Sequence, residues 1–383
     1  MARPRLPAVE VPWPPMDGDP YLYTQMLHTM GATGVQVEEL YTLTMDEFES
    51  VGPIFGIVFL YKWRPDELRD GLPLPDPGPV NEHPELIHDI FFANQVINAA
   101  AATQALTTIV LNIQSNTLKL GAEMADFKDF VKHLDPPLSG LAIHNAAFIR
   151  DAHLSVARRP PSPAADGLGP PPPRPGEVDE DVYHYITWVP IRTPSGTLAV
   201  YELDALQDTP LYIGEVAASP TAKVPPIEWV TVVADRLRGY VQVNAEAEIK
   251  YRTLAVVDHR IMREVAALEH LRARVEEEGV TRPGDEAEET RLMNVLTAED
   301  ERLSRWTAES ARRRHDYMPF LVETLKLLAS KGELTALIDA AREQKRATAK
   351  AAAKAAKAAR GGKSKTPKGD GGRDGAAGGS SHG

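Results

Sequence analysis

The hydrophobic positions divide the chain into a first part of mixed helix and strand and a second part of helix alone. The spacing predicts a helix over residues 21–30, and a continuous apolar run over residues 54–61 has the length of a buried strand. Small apolar residues predict a longer helix through residues 99–105, and helical periodicity returns at 123–133 and 145–158. The pattern of the first part therefore predicts a domain of mixed α and β structure.

Two β-type runs lie close together further along the chain, at residues 183–190 and 197–204. Pro, Ser and Gly separate them, which predicts a hairpin. A turn centred near Ser195 makes the side chains of His184 and Asp204 diagonal neighbours on one face. A carboxylate that orients an imidazole is the second half of a nucleophilic triad, although a histidine on a strand is more often structural.

The stretch between residues 158 and 182 has a different composition. Its eight prolines exclude both helix and central strand, so it predicts a long loop that leads directly to His184. Long loops inside compact domains tend to be functional or disordered. An insertion without function is the alternative.

From about residue 245 the pattern predicts helix. A stripe from Ile261 to Val275, with alternate steps of four and three residues, indicates either a coiled coil with a partner or a helical hairpin packed within the chain. Further helices are predicted over 286–314, from Pro319 to a stop at Gly332, and beyond that glycine. The last forty or so residues are rich in Ala, Lys and Gly without an apolar stripe, which predicts disorder.

Composition narrows the classes of protein to consider. The chain has 383 residues and is 43% hydrophobic, so it can bury a sizeable core. No stretch approaches the roughly 20 apolar residues of a spanning helix, and the first residues lack the apolar segment of a secretory signal. We therefore expect a soluble intracellular protein without a membrane partner.

Charge is distributed unevenly. The net charge is −12, residues 345–383 carry +8, and the preceding body therefore carries −20. An acidic body disfavours nucleic acid as the main partner and favours a basic one, although solubility alone also explains it.

The chain contains no cysteine. Disulfides, thiolate zinc sites and a cysteine nucleophile are thereby excluded. We expect no cofactor and no metal.

Several segments, in the same order along the chain, resemble the ubiquitin C-terminal hydrolases, a papain-like class of cysteine deubiquitinases. The segments are GVQVEEL (34–40), GIVFLYKW (56–63), FFANQVINAAAATQA (91–105), YHYITWVP (183–190) and YELDAL (201–206). Beyond them, RRRHDYMPF (312–320) is similar to the C-terminal extension of the family's long, proteasome-associated branch. The resemblance covers most of the chain.

The resemblance implies an α/β (α+β) papain-like fold, with a central antiparallel-rich sheet flanked by helices, a knotted backbone and an α-helical extension. It divides the chain as follows: a flexible N-terminus (1–16), a catalytic-type domain (17–244) with an active-site crossover loop (158–182), a helical extension for partner docking (245–343) and a disordered basic tail (344–383).

The resemblance also assigns site residues. Gln95 matches the oxyanion-hole glutamine, His184 the general base and later acid, and Asp204 the carboxylate that orients it. The nucleophile position falls at Ala101, where the family has Cys. A methyl group cannot attack a carbonyl, and the hydroxyl of Thr103 lies about 200° further round the helix, so we do not expect it to act instead.

Two hypotheses about function follow. The first is a thiol-type ubiquitin C-terminal hydrolase that releases adducts from the ubiquitin C-terminus and whose nucleophile was removed. The second is a natural pseudoenzyme, a non-catalytic ubiquitin-binding scaffold at the proteasome or on a chromatin complex. In both, the chain is expected to bind ubiquitin without normal hydrolysis.

The partners implied by the resemblance are ubiquitin and a proteasomal ubiquitin-receptor subunit, the latter bound through residues 312–341. A chromatin-remodelling complex is a further candidate, and nucleic acid is not expected as a partner. The corresponding localisation is cytoplasmic and nuclear.

Overall fold

The structure is a computed structural model that describes residues 13–62, 83–157, 183–219, 224–246 and 250–361. The chain forms two compact units, residues 1–315 and 316–383. Among the described helices, none combines the length and the apolar character needed to cross a membrane.

A six-stranded antiparallel sheet forms the centre of the first unit. Its strands are β2 (Val35–Leu40), β3 (Ile54–Lys62), β5 (Tyr183–Arg192), β6 (Leu198–Asp204), β7 (Leu211–Val216) and β8 (Tyr251–Asp258). Their spatial order is β2-β8-β3-β5-β6-β7. A separate two-stranded ladder joins β1 (Ala32–Thr33) to β4 (Lys119–Leu120). The predicted strand at β3 is confirmed, and it is buried because β8 and β5 flank it.

Helices cover both faces of this sheet. Those of the first unit are α1 (Pro20–Thr29), α2 (Met45–Val51), α3 (Ala101–Asn112), α4 (Ala122–Val131), α5 (Pro136–Asn145), α6 (Ala147–Val156), α7 (Trp229–Glu246), α8 (Arg260–Glu278) and α9 (Asp285–Arg314). One apolar cluster joins the sheet to α1, α3, α4, α5 and α6, and another joins the opposite face to α2 and α7. The predicted α/β architecture with a helical extension is confirmed.

The central helix α3 is buried along its whole length. It packs across β5 and β3. Glycine at position 56 of β3 permits this approach, since a Cβ there would lie only 2.6 Å from Ile109 Cγ2. The sheet therefore fixes the position of the N-terminal end of α3, where Ala101 is the first residue.

The predicted hairpin is confirmed as β5 and β6, which pair with Ile186 opposite Asp204. A buried ionic network anchors it to α7. Trp188 Nε1 donates to Glu202 Oε2 at 3.0 Å, and the Arg236 guanidinium donates to both carboxylate oxygens. Both oxygens of the buried Glu202 carboxylate therefore accept hydrogen bonds from protein donors.

The expected boundary at residues 244 and 245 is wrong, because β8 follows α7 and lies inside the sheet between β2 and β3. The error arises because β8 is one short strand between two long helices, and its partners β2 and β3 are far away in sequence. The helical extension begins only after β8, with α8. This helix packs against α9, which favours the intramolecular hairpin over a coiled coil with a partner.

The N-terminal boundary also differs from expectation. Trp13 and Met16 are buried in the main apolar cluster, so the flexible segment does not extend to residue 16. Residues 1–12 and the expected crossover loop at 158–182 lie outside the described residues. The knotted backbone depends on such segments and stays a prediction.

The second unit contains α10 (Met318–Ser330) and α11 (Leu334–Gly361). Helix α11 continues past residue 344, where a disordered tail was expected to begin, because its alanine-rich sequence has the highest helix propensity. Residues 362–383 lie outside the described residues.

Candidate functional site

The hairpin brings His184 and Asp204 together as the strand register predicts. His184 Nε2 lies 3.0 Å from Asp204 Oδ1, and the side chains are 3% and 14% exposed. Because an ionised carboxylate can only accept, the imidazole Nε2–H donates, which fixes the tautomer of the neutral ring.

Asp204 is held in its ionised form by its surroundings. Burial acts to raise the pKa of its carboxyl, but the hydrogen bond from His184 and the backbone N–H of Leu206 outweigh burial and lower the pKa below its usual value. The carboxylate therefore stays ionised across the physiological pH range and accepts the imidazole N–H.

Tyr61 is a site residue that sequence reasoning missed. It lies directly opposite His184 in the β3–β5 ladder, and the two rings meet edge to face with centroids 5.4 Å apart. Burial raises the pKa of Tyr61 well above its usual value, so the ring is neutral. The aromatic ring limits the rotation of the imidazole. Tyr61 can be identified as a site residue only from the strand register, because it lies more than a hundred positions from His184 in the sequence.

Ala101 lines a small pocket at the N-terminal end of α3. Gln95 lines the same pocket, together with residues adjacent in sequence to the imidazole and the carboxylate. These neighbours are Tyr185, Leu203 and Ala205. The side chains of His184 and Asp204 do not line this pocket. The structure thus joins the predicted residues in two pairs, Gln95 with Ala101 and His184 with Asp204, connected by the ends of β5 and β6.

The segment that carries Gln95 is tied to the end of β6. The backbone N–H of Gln95 donates to the carbonyl of Ala205 at 2.9 Å, and Asn94 Nδ2 donates to the carbonyl of Gln207 at 2.7 Å. Ala205 directly follows Asp204, so these bonds fix the segment that carries Gln95 relative to the His–Asp pair. Sequence reasoning assigned a role to Gln95 and none to Asn94.

Gln104 is a second residue that sequence reasoning missed. Its side chain is 1% exposed and lines the pocket below Ala101. Nε2 donates to the carbonyl of Ala93 at 2.6 Å, while Oε1 has no hydrogen-bond partner among the described residues. The first bond holds the segment before Gln95 against α3. The sequence signal that could have identified Gln104 is a polar residue among the small apolar residues of the helix, since such a residue usually has a specific hydrogen-bond partner when it is buried.

Thr103 does not replace the missing nucleophile. Its hydroxyl is fully buried and contacts His153 Nδ1 at 2.7 Å and Met26 Sδ at 3.3 Å. The prediction that Thr103 points away from the site is confirmed.

The site can therefore orient an imidazole, and it has a methyl group at position 101, where the resemblance places the nucleophile. Ala100 provides no side-chain cap for α3, which leaves the first backbone N–H groups of the helix without that partner. Within the described part of the chain, no group of three or more His, Asp or Glu residues is arranged to hold a metal ion.

Two models of known protein families match the chain, and several known proteins are similar to it. The family described as "Ubiquitin carboxyl-terminal hydrolase, family 1" matches residues 13–236, and "Ubiquitin carboxyl-terminal hydrolases" matches residues 290–334. The chain is 32% identical to ubiquitin carboxyl-terminal hydrolase ubh-4 of Caenorhabditis elegans, over 85% of this chain and 90% of the relative. It is 28% identical to isozyme L5 of Dictyostelium discoideum, over 87% and 96%.

A solved structure is also similar. Trichinella spiralis UCH37, crystallised with ubiquitin vinyl methyl ester, superposes with a TM-score of 0.55 and 29% identity, over 77% of this chain and 99% of that chain. A family match over more than half of the sequence identifies the family. This chain belongs to the ubiquitin carboxyl-terminal hydrolase family.

Proposed function

We propose that this protein binds the C-terminal tail of ubiquitin and does not hydrolyse ubiquitin adducts by the thiol route. One observation carries the proposal: a His–Asp pair with a 3.0 Å contact accompanies a methyl group at position 101. Imidazole activation requires a thiol or hydroxyl to deprotonate, and Ala101 supplies neither.

Ubiquitin as the ligand is supported by the relative from Trichinella spiralis, whose structure holds a ubiquitin derivative. The acidic body of this chain also suits a basic ligand surface. Removal of the sulfur changes the chemistry of the site but leaves its walls, so binding and turnover are separable here.

Covalent labelling tests the proposal directly. Because the chain has no cysteine, Ala101→Cys introduces the only thiol in the molecule. We expect ubiquitin vinyl methyl ester to label the variant and not the unchanged chain, and a fluorogenic ubiquitin C-terminal adduct to be cleaved only by the variant.

Two matched controls identify the cause of labelling. A cysteine introduced at exposed Glu301 should not be labelled, since it lacks the site. Ala101→Cys combined with His184→Ala should be labelled far more slowly. Labelling or turnover by the unchanged chain would contradict the proposal.

A scaffold without any recoverable activity is the second candidate. It is favoured because a deliberate substitution of the nucleophile alone would leave other cysteines in place, whereas the chain has none. In that case Ala101→Cys stays inactive while both forms still bind ubiquitin, as measured by calorimetry. A dissociation constant weaker than about 1 mM for both forms would exclude the scaffold as well.

We further propose that residues 312–341, of which 316–341 belong to the second unit, dock at a proteasomal ubiquitin-receptor subunit in the cytoplasm and nucleus. Helix α10 supports this proposal because it exposes large apolar side chains. Those of Phe320, Leu321, Leu325 and Leu327 are each about half exposed or more. Apolar patches of this kind are typical of interaction sites. A chromatin-remodelling complex is the alternative partner.

Binding of the purified receptor subunit, measured by biolayer interferometry, tests the docking proposal. Phe320→Glu should weaken binding at least tenfold, because it places a charge in an apolar contact. Glu323→Gln on the same helix is the control and should change affinity little. Equal binding by both variants would exclude α10 as the contact.

A further inference from the structure

Two buried histidines outside the site enclose the residue that begins the described chain. His144 lies in α5 and His153 in α6, and they are 7% and 0% exposed. The Trp13 ring meets both imidazoles edge to face, with centroid distances of 5.4 Å to His144 and 4.8 Å to His153. The indole is thus held between two titratable rings.

The hydrogen bonds of His153 connect this segment to the central helix. Nε2 lies 2.8 Å from the carbonyl oxygen of Pro14, which can only accept, so Nε2 carries the proton. Nδ1 lies 2.7 Å from the hydroxyl of Thr103, which donates to it. The neutral ring is satisfied at both nitrogens, and it joins the N-terminal segment to α3 two residues beyond Ala101.

His144 is arranged for the neutral form alone. Its Nδ1 donates to the carbonyl of Gly140 at 2.6 Å, whereas Nε2 is buried without a hydrogen-bond partner among the described residues. A proton on Nε2 would add an unpaired N–H and a positive charge to an apolar site. Both are unfavourable in the folded protein.

No carboxylate acts on either ring within the described part of the chain. Helix α3 presents Thr103, α1 presents Met26 beside it, and the N-terminal segment presents Trp13 and Pro14, none of which is charged. Burial lowers the pKa of both imidazoles, and the proximity of His144 lowers that of His153 further. Protonation of one imidazole therefore disfavours protonation of the other.

We propose that His144 and His153 form a proton-operated clasp that holds residues 13–16 against α3, α5 and α6 while both rings are neutral and releases them when the rings are protonated. A released imidazole titrates near pH 6.5. Because the released state binds more protons, the clasp is fully closed above that pH and weakens as the pH falls below it. With two rings, the ratio of open to closed forms increases by up to about 100-fold for each unit by which the pH falls.

The absence of native cysteines permits a site-specific test on the full chain. Pro15→Cys carries a nitroxide label between the two buried residues Trp13 and Met16, and Glu301→Cys carries the same label at an exposed position elsewhere in the fold. Electron paramagnetic resonance measures the mobility of each label between pH 7.5 and 5.0. Far-UV circular dichroism of the same samples reports the integrity of the fold.

We expect the label at residue 15 to become mobile below about pH 6.5 while the label at 301 and the dichroism stay constant. His144→Phe retains a ring beside Trp13 and removes one titration, so the pH dependence should fall to about tenfold per unit. The same substitution at exposed His133 should leave the two-proton dependence unchanged.

Three results would overturn the proposal. The label at residue 15 stays immobile to pH 5.0, or it becomes mobile only together with loss of the dichroism, or His144→Phe releases it with the unchanged pH dependence. Each of these excludes a local clasp that operates through His144 and His153.

Discussion

The β5–β6 hairpin and the N-terminus of α3 supply the two halves of the site, and they differ in what they retain. The hairpin keeps the imidazole of His184 and the carboxylate of Asp204 in contact, with Tyr61 against the ring. The helix keeps its burial and its neighbours Gln95 and Gln104 but presents the methyl group of Ala101.

This difference separates structural support from chemistry. Asp204 accepts a backbone N–H from Leu206, and Glu202, two residues earlier, holds an ionic network with α7. These contacts satisfy buried polar groups whether or not a nucleophile is present. The persistence of a His–Asp pair is therefore evidence of an intact fold and, by itself, no evidence of turnover.

The largest effect should come from removing the imidazole in a chain whose nucleophile is restored. In the Ala101→Cys background, His184→Ala should lower turnover of a fluorogenic ubiquitin adduct by about 10⁴-fold or more, because the thiol loses its general base. His133→Ala, at an exposed position, is the control. Retention of a tenth of the turnover would mean that the hairpin half is not functional.

The oxyanion half should give a smaller effect. In the same background, Gln95→Ala should lower kcat by about 10²–10³-fold with little change in ubiquitin affinity, because its amide would stabilise only the developing charge. Gln344→Ala in the second unit is the control. A matching loss of affinity would instead assign Gln95 to ubiquitin binding.

Measurements of stability distinguish the buried ion pair that anchors the hairpin from an exposed ion pair on the same helix. Arg236→Met should lower the free energy of unfolding by about 3 kcal/mol, because it leaves the buried Glu202 carboxylate without its cation. Arg238→Met on the same helix breaks an exposed ion pair with Asp235 and should change it by less than about 0.5 kcal/mol. Urea unfolding measures both, and equal losses would contradict this assignment.

On the side of α3, Gly56→Ala should lower the free energy of unfolding by about 1–3 kcal/mol, since the new Cβ would lie 2.6 Å from the branched side chain of Ile109. Gly239→Ala in α7 meets no atom within 4 Å and should stabilise the protein by about 0.5–1 kcal/mol. Thermal unfolding checks both signs. Stabilisation by Gly56→Ala would show that α3 packs less closely on β3 than described.

The smallest effect concerns pH. Asp204→Asn should lower the free energy of unfolding by about 1 kcal/mol at neutral pH, because it weakens the hydrogen bond from His184. The folded protein lowers the pKa of Asp204, so this contribution is complete above about pH 4 and is lost as the pH falls through the folded-state value. Urea unfolding from pH 7 to pH 3 should show the difference shrinking only at the acid end. Asp208→Asn, at an exposed position, should show no such trend.

The sequence by itself determined the elements with strong local signals, and it predicted Gln95, Ala101, His184 and Asp204 as site residues. The apolar run at β3, the hairpin with its turn near Ser195, and the helices α8 to α10 have local patterns of composition and periodicity. The diagonal relation of His184 to Asp204 follows from hairpin arithmetic, because a short turn sets the register of both strands. The absence of a thiol at position 101 is a fact of the sequence alone.

Only the tertiary structure decided which distant segments meet. Strand β8 enters the sheet between β2 and β3, Tyr61 faces His184, and Gln104 joins the segment before Gln95 to the central helix. Trp13 became a core residue in the same way, through two histidines more than a hundred positions away. Each of these contacts depends on the packing of several elements at once, and the free energy of burial that selects them is absent from any local stretch of chain.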